Sequence, residues 1–462
     1  MNNLPKVASK ISPFGGSWCG AVRHAVALIR ADKLFSTIYI AGTAVAIASA
    51  MVVAIVLNMM LIDIAPESNR SRTLYLYNEI GTETARAKGE RLYSGLSTAS
   101  LDSCFRRMKC VEAAAGVLPT TAFKYQASDE HFTNHLSVSA QPCDYDFFRL
   151  YEFNFLEGRP FSEKEFRSGD RVCIITDKVA QKLNLSLKGA GGSLYINKQA
   201  LRVVGIVKSV SAFIDFAMAD IYVPYSADGM GFWPDRPNPG ADGAYSGNLE
   251  ARILLRKGFT RQDFLYEVEP LRQNYIAVCS AAAGEKVEWE LEARSHFFKM
   301  LNFFTSEDES LTDQAKNLMI PTLLMLIFLF LPALNLSGLV SNRMEARRPE
   351  MGIRKAFGAK RRTLLREVIN ENLVLTLCGG LVGWVLSWLF ILAVHNHPVF
   401  LQMFVSRDQH TYDTSLDFQM FVTPTLFFVV FLCCAVLNLM VALIPAWRSL
   451  KNPIVESLNQ KR

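Results

Sequence analysis

The block Glu350-Met351-Gly352-Ile353-Arg354-Lys355-Ala356-Phe357-Gly358-Ala359-Lys360-Arg361-Arg362 is where this sequence most resembles a chemical site. It holds two glycines and five Lys or Arg in 13 residues, a composition that suits a phosphate. A phosphate-binding loop needs G-x-x-x-x-G-K-[ST] after a strand, so that backbone N–H groups cradle the oxygens. Here Gly352 and Gly358 are six apart and Ala359 precedes Lys360. No strand pattern leads into the block, and no other stretch matches the motif. ATP binding by that route is excluded. His131 and His135 stand at i, i+4, but no Glu follows the first, as a zinc protease requires. His395, His397 and His410 have no Cys or acid at ligand spacing. No Ser/His/Asp or Cys/His set is present. The expectation is a protein with no catalytic residues, no metal and no cofactor of its own.

The elements around the block explain its setting. Four stretches carry no charge: Leu34 to Ile62, Asn317 to Asn342, Asn372 to Val394, and Phe418 to Trp447. Each exceeds the roughly 20 residues that span a ~30 Å hydrocarbon core. The first reads as a retained anchor, because 33 residues precede it and no cleavage site closes it. The absence of acid or base within the spans argues against a proton relay or an ion path.

Charge orients these spans. Residues 1–37, 342–371 and 448–462 carry 18 basic and 6 acidic residues, a balance of +12, whereas the whole chain is only +6. Nine of the bases lie in 342–371. These are the three segments that four spans with a cytoplasmic N-terminus place inside. The positive charge is therefore topogenic and faces the anionic headgroups of a lipid bilayer. It is not a nucleic-acid footprint.

About 250 residues, 65–315, then lie outside, enough for a domain with its own core. Residues 72–80, 172–176, 221–225 and 251–256 read as strands, and 191–210 as a hairpin around Asn197-Lys198 followed by a strand. Residues 97–117 have helical periodicity with Ser97 or Ser100 as N-cap, and 177–185 and 259–275 also read as helices. The sum is an α+β domain of two small βαβ-type lobes, with a Pro/Gly-rich surface loop at 229–248. Five of nine cysteines fall here: Cys104, Cys110, Cys143, Cys173 and Cys279. Most are expected to be small buried hydrophobes.

The basic block can form a helix, a break at Gly358-Ala359, and a second helix entering the membrane. On the first helix Met351, Arg354 and Lys355 share one side, and Ile353, Ala356 and Phe357 an adjoining one. Two readings fit: snorkelling topogenic charge, or an apolar knob beside cations that docks in a cleft of a soluble partner.

Residues 350–359 resemble, position by position, the cytoplasmic signature of FtsX-like, MacB-type ABC transporter permeases. Residues 20–53 are similar to that family's amphipathic N-terminal helix and first span, 145–166 and 172–210 to its periplasmic core domain, and 444–458 to its P-A-x-R…P-x-E-x-L ending. Two features depart from the family: Pro332 and Asn335 replace a glycine-rich second span, and no ATPase domain precedes the first span. The resemblance implies four transmembrane helices with a large α+β periplasmic domain between the first two. Its divisions are 1–37 inside, 38–64 first span, 65–315 periplasmic core, 316–342 second span, 343–371 coupling segment, 372–394 third span, 395–417 outer loop, 418–447 fourth span and 448–462 tail. It implies a permease subunit in the inner membrane of a Gram-negative-type bacterium, working as a homodimer or heterodimer with a separate ABC ATPase that uses the ATP. A periplasmic adaptor and an outer-membrane channel are further implied partners. The ATPase would dock on Glu350, Met351, Gly352, Ile353, Arg354, Lys355, Phe357, Gly358, Lys360, Arg361 and Arg362. Export of a substrate is the implied activity; the alternative is a transmembrane regulator of a periplasmic hydrolase or an envelope-signal sensor.

Overall fold

A computed structural model describes residues 33–61, 63–82, 95–119, 124–185, 192–210, 216–232, 234–235, 246–284, 286–301, 356–394 and 424–451, with isolated residues between 319 and 354. The chain divides into two units, a helical one and an outer one.

In the outer unit, apolar alternation makes β1 (Thr73–Thr82), which puts Leu74 and Leu76 on one face and Tyr75 and Tyr77 on the other. The short pair β2 (Gly95–Leu96) and β11 (Ser246–Gly247) forms a separate two-stranded sheet. Strands β3 (Val111–Val117), β12 (Glu250–Leu255) and β13 (Val287–Ser295) join β1 in the order β3-β12-β1-β13, antiparallel throughout. A short helix, Thr98–Ser103, lies in the β1–β3 connection, and a long one, Arg261–Ala283, joins β12 to β13. In each crossover one strand is skipped, which is the split βαββαβ pattern. The long helix starts at a capping box between Thr260 and Asp263 and ends at Gly284, whose φ of 68° terminates it. This helix also closes the sheet edge. Arg261 donates to the Ala293 carbonyl (2.6 Å), Arg272 to the Trp289 carbonyl (2.8 Å), and Ser280 Oγ accepts from the Val287 N–H (3.0 Å). Backbone groups that would otherwise template a foreign strand are thus occupied.

Between β3 and β12 the chain builds a second lobe from β4 (Lys124–Ser128), β5 (His135–Cys143), β7 (Val172–Thr176), β8 (Ser193–Ile196), β9 (Gln199–Val207) and β10 (Ile221–Pro224). These pair around a closed ring, β10-β7-β9-β8-β4-β5 and back to β10, with β6 (Phe155–Gly158) added outside β9. Every second residue points inward: Val138 and Ala140, Cys173 and Ile175, Leu194 and Ile196, Leu201 and Val203, Ile221 and Val223. So few strands leave room only for side chains. Val179, Ala180 and Leu183, within or just after the helix Asp177–Lys182, complete the core. The β8–β9 turn uses Asn197 and Lys198 at φ 50° and 66°, the two-residue geometry that matches strand twist. Arg106 joins the lobes, donating to Asp144 (2.6 Å) and Asp146 (2.9 Å) at the start of the segment after β5.

Two expectations need correction. Residues 97–117 are not one helix. Ser97 caps a helix that stops at Ser103, and Val111–Val117 is a strand between β12 and β5. The alanines that read as helical are buried in this strand, and beside them a Cβ on Gly116 would meet Leu101 at 2.5 Å. Nor are there two βαβ lobes: one is split, and the other is the ring. The cysteines at 104, 110, 143 and 173 are buried. Burial, with a Glu267 carboxylate beside it, pushes the Cys110 thiol up to about 12. The side chain of Cys279 lies outside the described residues.

The helical unit contains the helices Lys33–Leu61, Arg361–Val394 and Pro424–Lys451, the first running into the outer unit at its end. Ser36–Ile55 and Arg361–Ala393 are, among the described residues, the two stretches long and apolar enough to cross a membrane; Thr425–Met440 is a shorter apolar stretch. The expected second span falls almost wholly outside the described residues. Three glycines bring the helices together. A Cβ on Gly379 would meet Thr43 at 2.8 Å, one on Gly383 would meet the Ala44 carbonyl at 2.6 Å, and one on Gly380 would meet Phe431 at 2.7 Å. Tyr39 and Thr376 hydroxyls pair across the first seam at 3.4 Å. Close backbone approach of this kind replaces the hydrophobic drive that lipid does not supply.

Two outcomes follow from these contacts. Gly383→Leu should lower the detergent melting temperature of the full chain, because the Ala44 backbone cannot yield as a side chain would. An unchanged melt would mean that the seam does not hold. Glu165 accepts two hydrogen bonds from Arg159 (2.8 and 2.9 Å) and closes a capping box on Ser162, which holds its carboxyl at about 2. A depressed carboxyl stabilises the fold above its unfolded value of about 4.3 and loses that contribution as pH falls toward 2. Glu165→Gln should therefore melt below wild type at pH 7, with the gap closing as melts are repeated from pH 4.5 downward.

Candidate functional site

Near the break in the basic block, the described residues 353, 354 and 356 are helical, and the helix closes with the Phe357 N–H donating to the Ile353 carbonyl at 3.1 Å. Gly358 then takes φ 86°, where a Cβ is strained. The Ala359 N–H reaches back to the Arg354 carbonyl at 3.0 Å, the six-to-one bond of a Schellman reversal. The Lys360 carbonyl accepts from Thr363 (3.0 Å) and Leu364 (3.3 Å), so the next helix starts at once. The turn between the two helices is a fixed elbow.

The elbow leaves an apolar group exposed. Phe357 is 88% exposed and Ile353 49%, with Ala356 exposed on the same face. Arg354 is half-buried beside them, and Lys360, Arg361 and Arg362 are exposed. The placement of these last three is electrostatically adverse. A base at a helix N-terminus opposes the macrodipole, at about 0.3–1 kcal/mol. Among the described residues none of the three forms an ion pair. Glu350, Met351, Gly352 and Lys355 lie outside the described residues, so the structure brings together seven of the eleven expected site residues.

The helix that follows is a single rod. It runs from Arg361 through Val394, 34 residues, or about 50 Å at 1.5 Å per residue. That exceeds the ~30 Å hydrocarbon core, so the basic end projects beyond it. Leu364, Val368, Glu371, Asn372, Leu375 and Thr376 are buried along the rod, leading to the glycine seam with the first helix. The rod is therefore packed against the first helix, Lys33–Leu61.

Sequence reasoning missed the joint where that helix reaches the outer domain. Glu67 is 1% exposed; its Oε2 accepts from Arg70 Nε at 2.7 Å, and its Oε1 accepts the backbone N–H groups of Phe216 (3.0 Å) and Ala217 (2.9 Å). The Pro66 carbonyl accepts from Glu152 N–H (2.8 Å), and Asp63 accepts from the Ser71 N–H (3.0 Å) and hydroxyl (3.1 Å). The only sequence signal is an acid three residues before an arginine, next to an apolar run. The two histidines at 131 and 135 are exposed, and the described residues hold no group of side chains able to bind a metal. Residues 395–397 and His410 lie outside the described residues.

Comparison with known proteins places both halves. Residues 36–271 match the family model of the MacB-like periplasmic core domain, and residues 322–454 that of the FtsX-like permease C-terminal region. The chain is 23% identical over 373 residues to the ABC transporter permease YknZ of Bacillus subtilis, covering 78% of this chain and 83% of that protein. It is 22% identical over 458 residues to the macrolide export ATP-binding/permease protein MacB of Agrobacterium fabrum, covering 95% of this chain but only 60% of that protein. The periplasmic region of MacB from Actinobacillus actinomycetemcomitans aligns at a TM-score of 0.34 and 12% identity, over 52% of this chain and 94% of that one.

Proposed function

The chain belongs to the membrane-embedded ABC transporter permeases with a MacB-like periplasmic core domain, and on that premise we propose that it transmits the ATP-driven motion of a separate ATPase to its outer domain for export of a substrate across the envelope. Permeases of this kind work with an ATPase partner. The proposed arrangement is four spans with both termini inside, a homodimer or heterodimer in the inner membrane of a Gram-negative-type bacterium, and a periplasmic adaptor and outer-membrane channel as further partners. Export is what the name of the Agrobacterium relative states of that protein.

The observation that carries the reading is the elbow: Phe357, 88% exposed, fixed beside Arg354 by a Schellman reversal at the base of a 34-residue rod. Glu350, Met351, Gly352, Ile353, Arg354, Lys355, Phe357, Gly358, Lys360, Arg361 and Arg362 form the proposed ATPase-docking segment. An apolar anchor between cations suits a cleft in a soluble partner, and such an anchor contributes most of the binding energy of a small interface. Closure of the ATPases would then bias a two-state helical element.

Phe357→Ala and Arg354→Glu test this. Phe357→Ala removes an exposed side chain, so melting and membrane insertion should match wild type. Loss of a central anchor costs about 2 kcal/mol, a roughly thirty-fold weaker complex with the ATPase. Arg354→Glu should likewise uncouple ATP hydrolysis from export. Normal export by both variants would contradict the docking role.

A further inference from the structure

We infer that Glu67 is a positioning residue in the coupling path: it ties the stalk leaving the first helix to a strap, residues 216–220, that feeds strand β10 of the ring. This inference rests on the proposed function and names the residues by which motion would pass from the stalk into the ring lobe.

The strap is held from four directions, by polar contacts on three and by a ring contact on the fourth. From the stalk, the buried Glu67 carboxylate takes the N–H groups of Phe216 and Ala217 on one oxygen while Arg70 holds the other. From β12, Arg252, 2% exposed, donates to the Phe216 carbonyl at 2.5 Å and to the Tyr151 hydroxyl at 3.1 Å. From the start of the segment leading to the second apolar run, His296 lies against Phe216, with ring centroids 5.6 Å apart, and its Nδ1 is 3.1 Å from the Tyr75 hydroxyl. From β10 itself, the Tyr222 hydroxyl donates to the Ala217 carbonyl at 2.7 Å. At the end of the strap, the Asp220 carboxylate accepts from the Ser139 N–H of β5 and the Asp220 carbonyl from the Thr176 N–H at the end of β7. Any displacement of the stalk thus reaches two further strands of the ring through one short segment.

The chemistry favours a clasp over mere filling. A buried charge is expensive to desolvate, and apolar side chains of the same volume stabilise a core equally well or better. A carboxylate with three N–H donors is directional: it transmits a pull along the strap, whereas greasy contacts slide. Neighbouring stalk bonds, such as Asp63 to Ser71, are exposed and stay within the stalk.

The test is hydrogen exchange on the full chain, reconstituted in nanodiscs with its ATPase, with and without Mg-ATP. In wild type, ATP should alter exchange in β1, β13 and residues 221–224. Glu67→Gln should keep ATP hydrolysis and the response of β1 and β13 but lose that of 221–224. Glu67→Asp, which keeps the charge for Arg70 but withdraws it from the strap, should weaken the ring response. It becomes the deciding variant if Glu67→Gln shows no melting transition. Asp63→Asn should respond as wild type does. An undiminished ring response in Glu67→Gln, or in Glu67→Asp when that variant decides, would overturn the clasp. No ATP-dependent change anywhere in the wild-type outer domain would overturn the proposed function, and the clasp with it.

Discussion

The antiparallel pairing of β1 with β13 is the contact on which the other parts depend. It runs for nine residue pairs, from Leu74 opposite Ser295 to Thr82 opposite Val287. The chain reaches β1 directly from the first membrane-type helix and leaves β13 toward the second apolar run. Because the strands are antiparallel, both connections emerge at one end of one strand pair. Leu74 and Leu76 are buried on one face and Tyr75 on the other, so a slip by one residue would exchange the faces that all three fill. Trp289 Nε1 donates to the Asn78 carboxamide across the pair, and Arg294 stacks on Tyr77 at 4.5 Å. A load on either connection is therefore felt by both strands.

The helical unit obeys a comparable constraint by different means. Water drives the burial of Leu74 or Trp289, but lipid tails are as apolar as leucine and drive no helix together. Association there depends on surface fit. Gly379 and Gly383, one turn apart, let backbone meet backbone at the first helix, while Gly380 admits the Phe431 ring. The elbow at Gly358, the rod after it and this seam follow one another along the helical unit.

Much of this was legible in the sequence. Uncharged runs located the first, third and fourth apolar helices, and the left-handed break at Gly358 was readable from Gly-Ala between two helical patterns. The strands at 73–82, 172–176 and 221–224 and the Asn197-Lys198 hairpin followed from alternation and turn chemistry. Local signals failed where tertiary packing outweighs propensity. Ala113, Ala114 and Ala115 are good helix formers, yet they lie buried in a strand paired with β12, and the next residue, Gly116, has no room for a Cβ beneath Leu101. Ring closure was also hidden, since it depends on β10 pairing with β5 about 80 residues away in sequence. The Glu67 clasp left only the Glu67-Arg70 spacing as a signal, because its partners on the strap are backbone N–H groups, which every sequence contains.

The docking of a soluble ATPase on the exposed elbow is the central claim, and co-purification tests it most directly. The chain would be isolated from its native membrane in mild detergent, beside a Phe357→Asp variant of equal abundance, and the co-eluting proteins identified. The account predicts an ABC ATPase with the wild type and its loss from the variant. Recovery of no ATPase with either chain, or equal recovery with both, would contradict it.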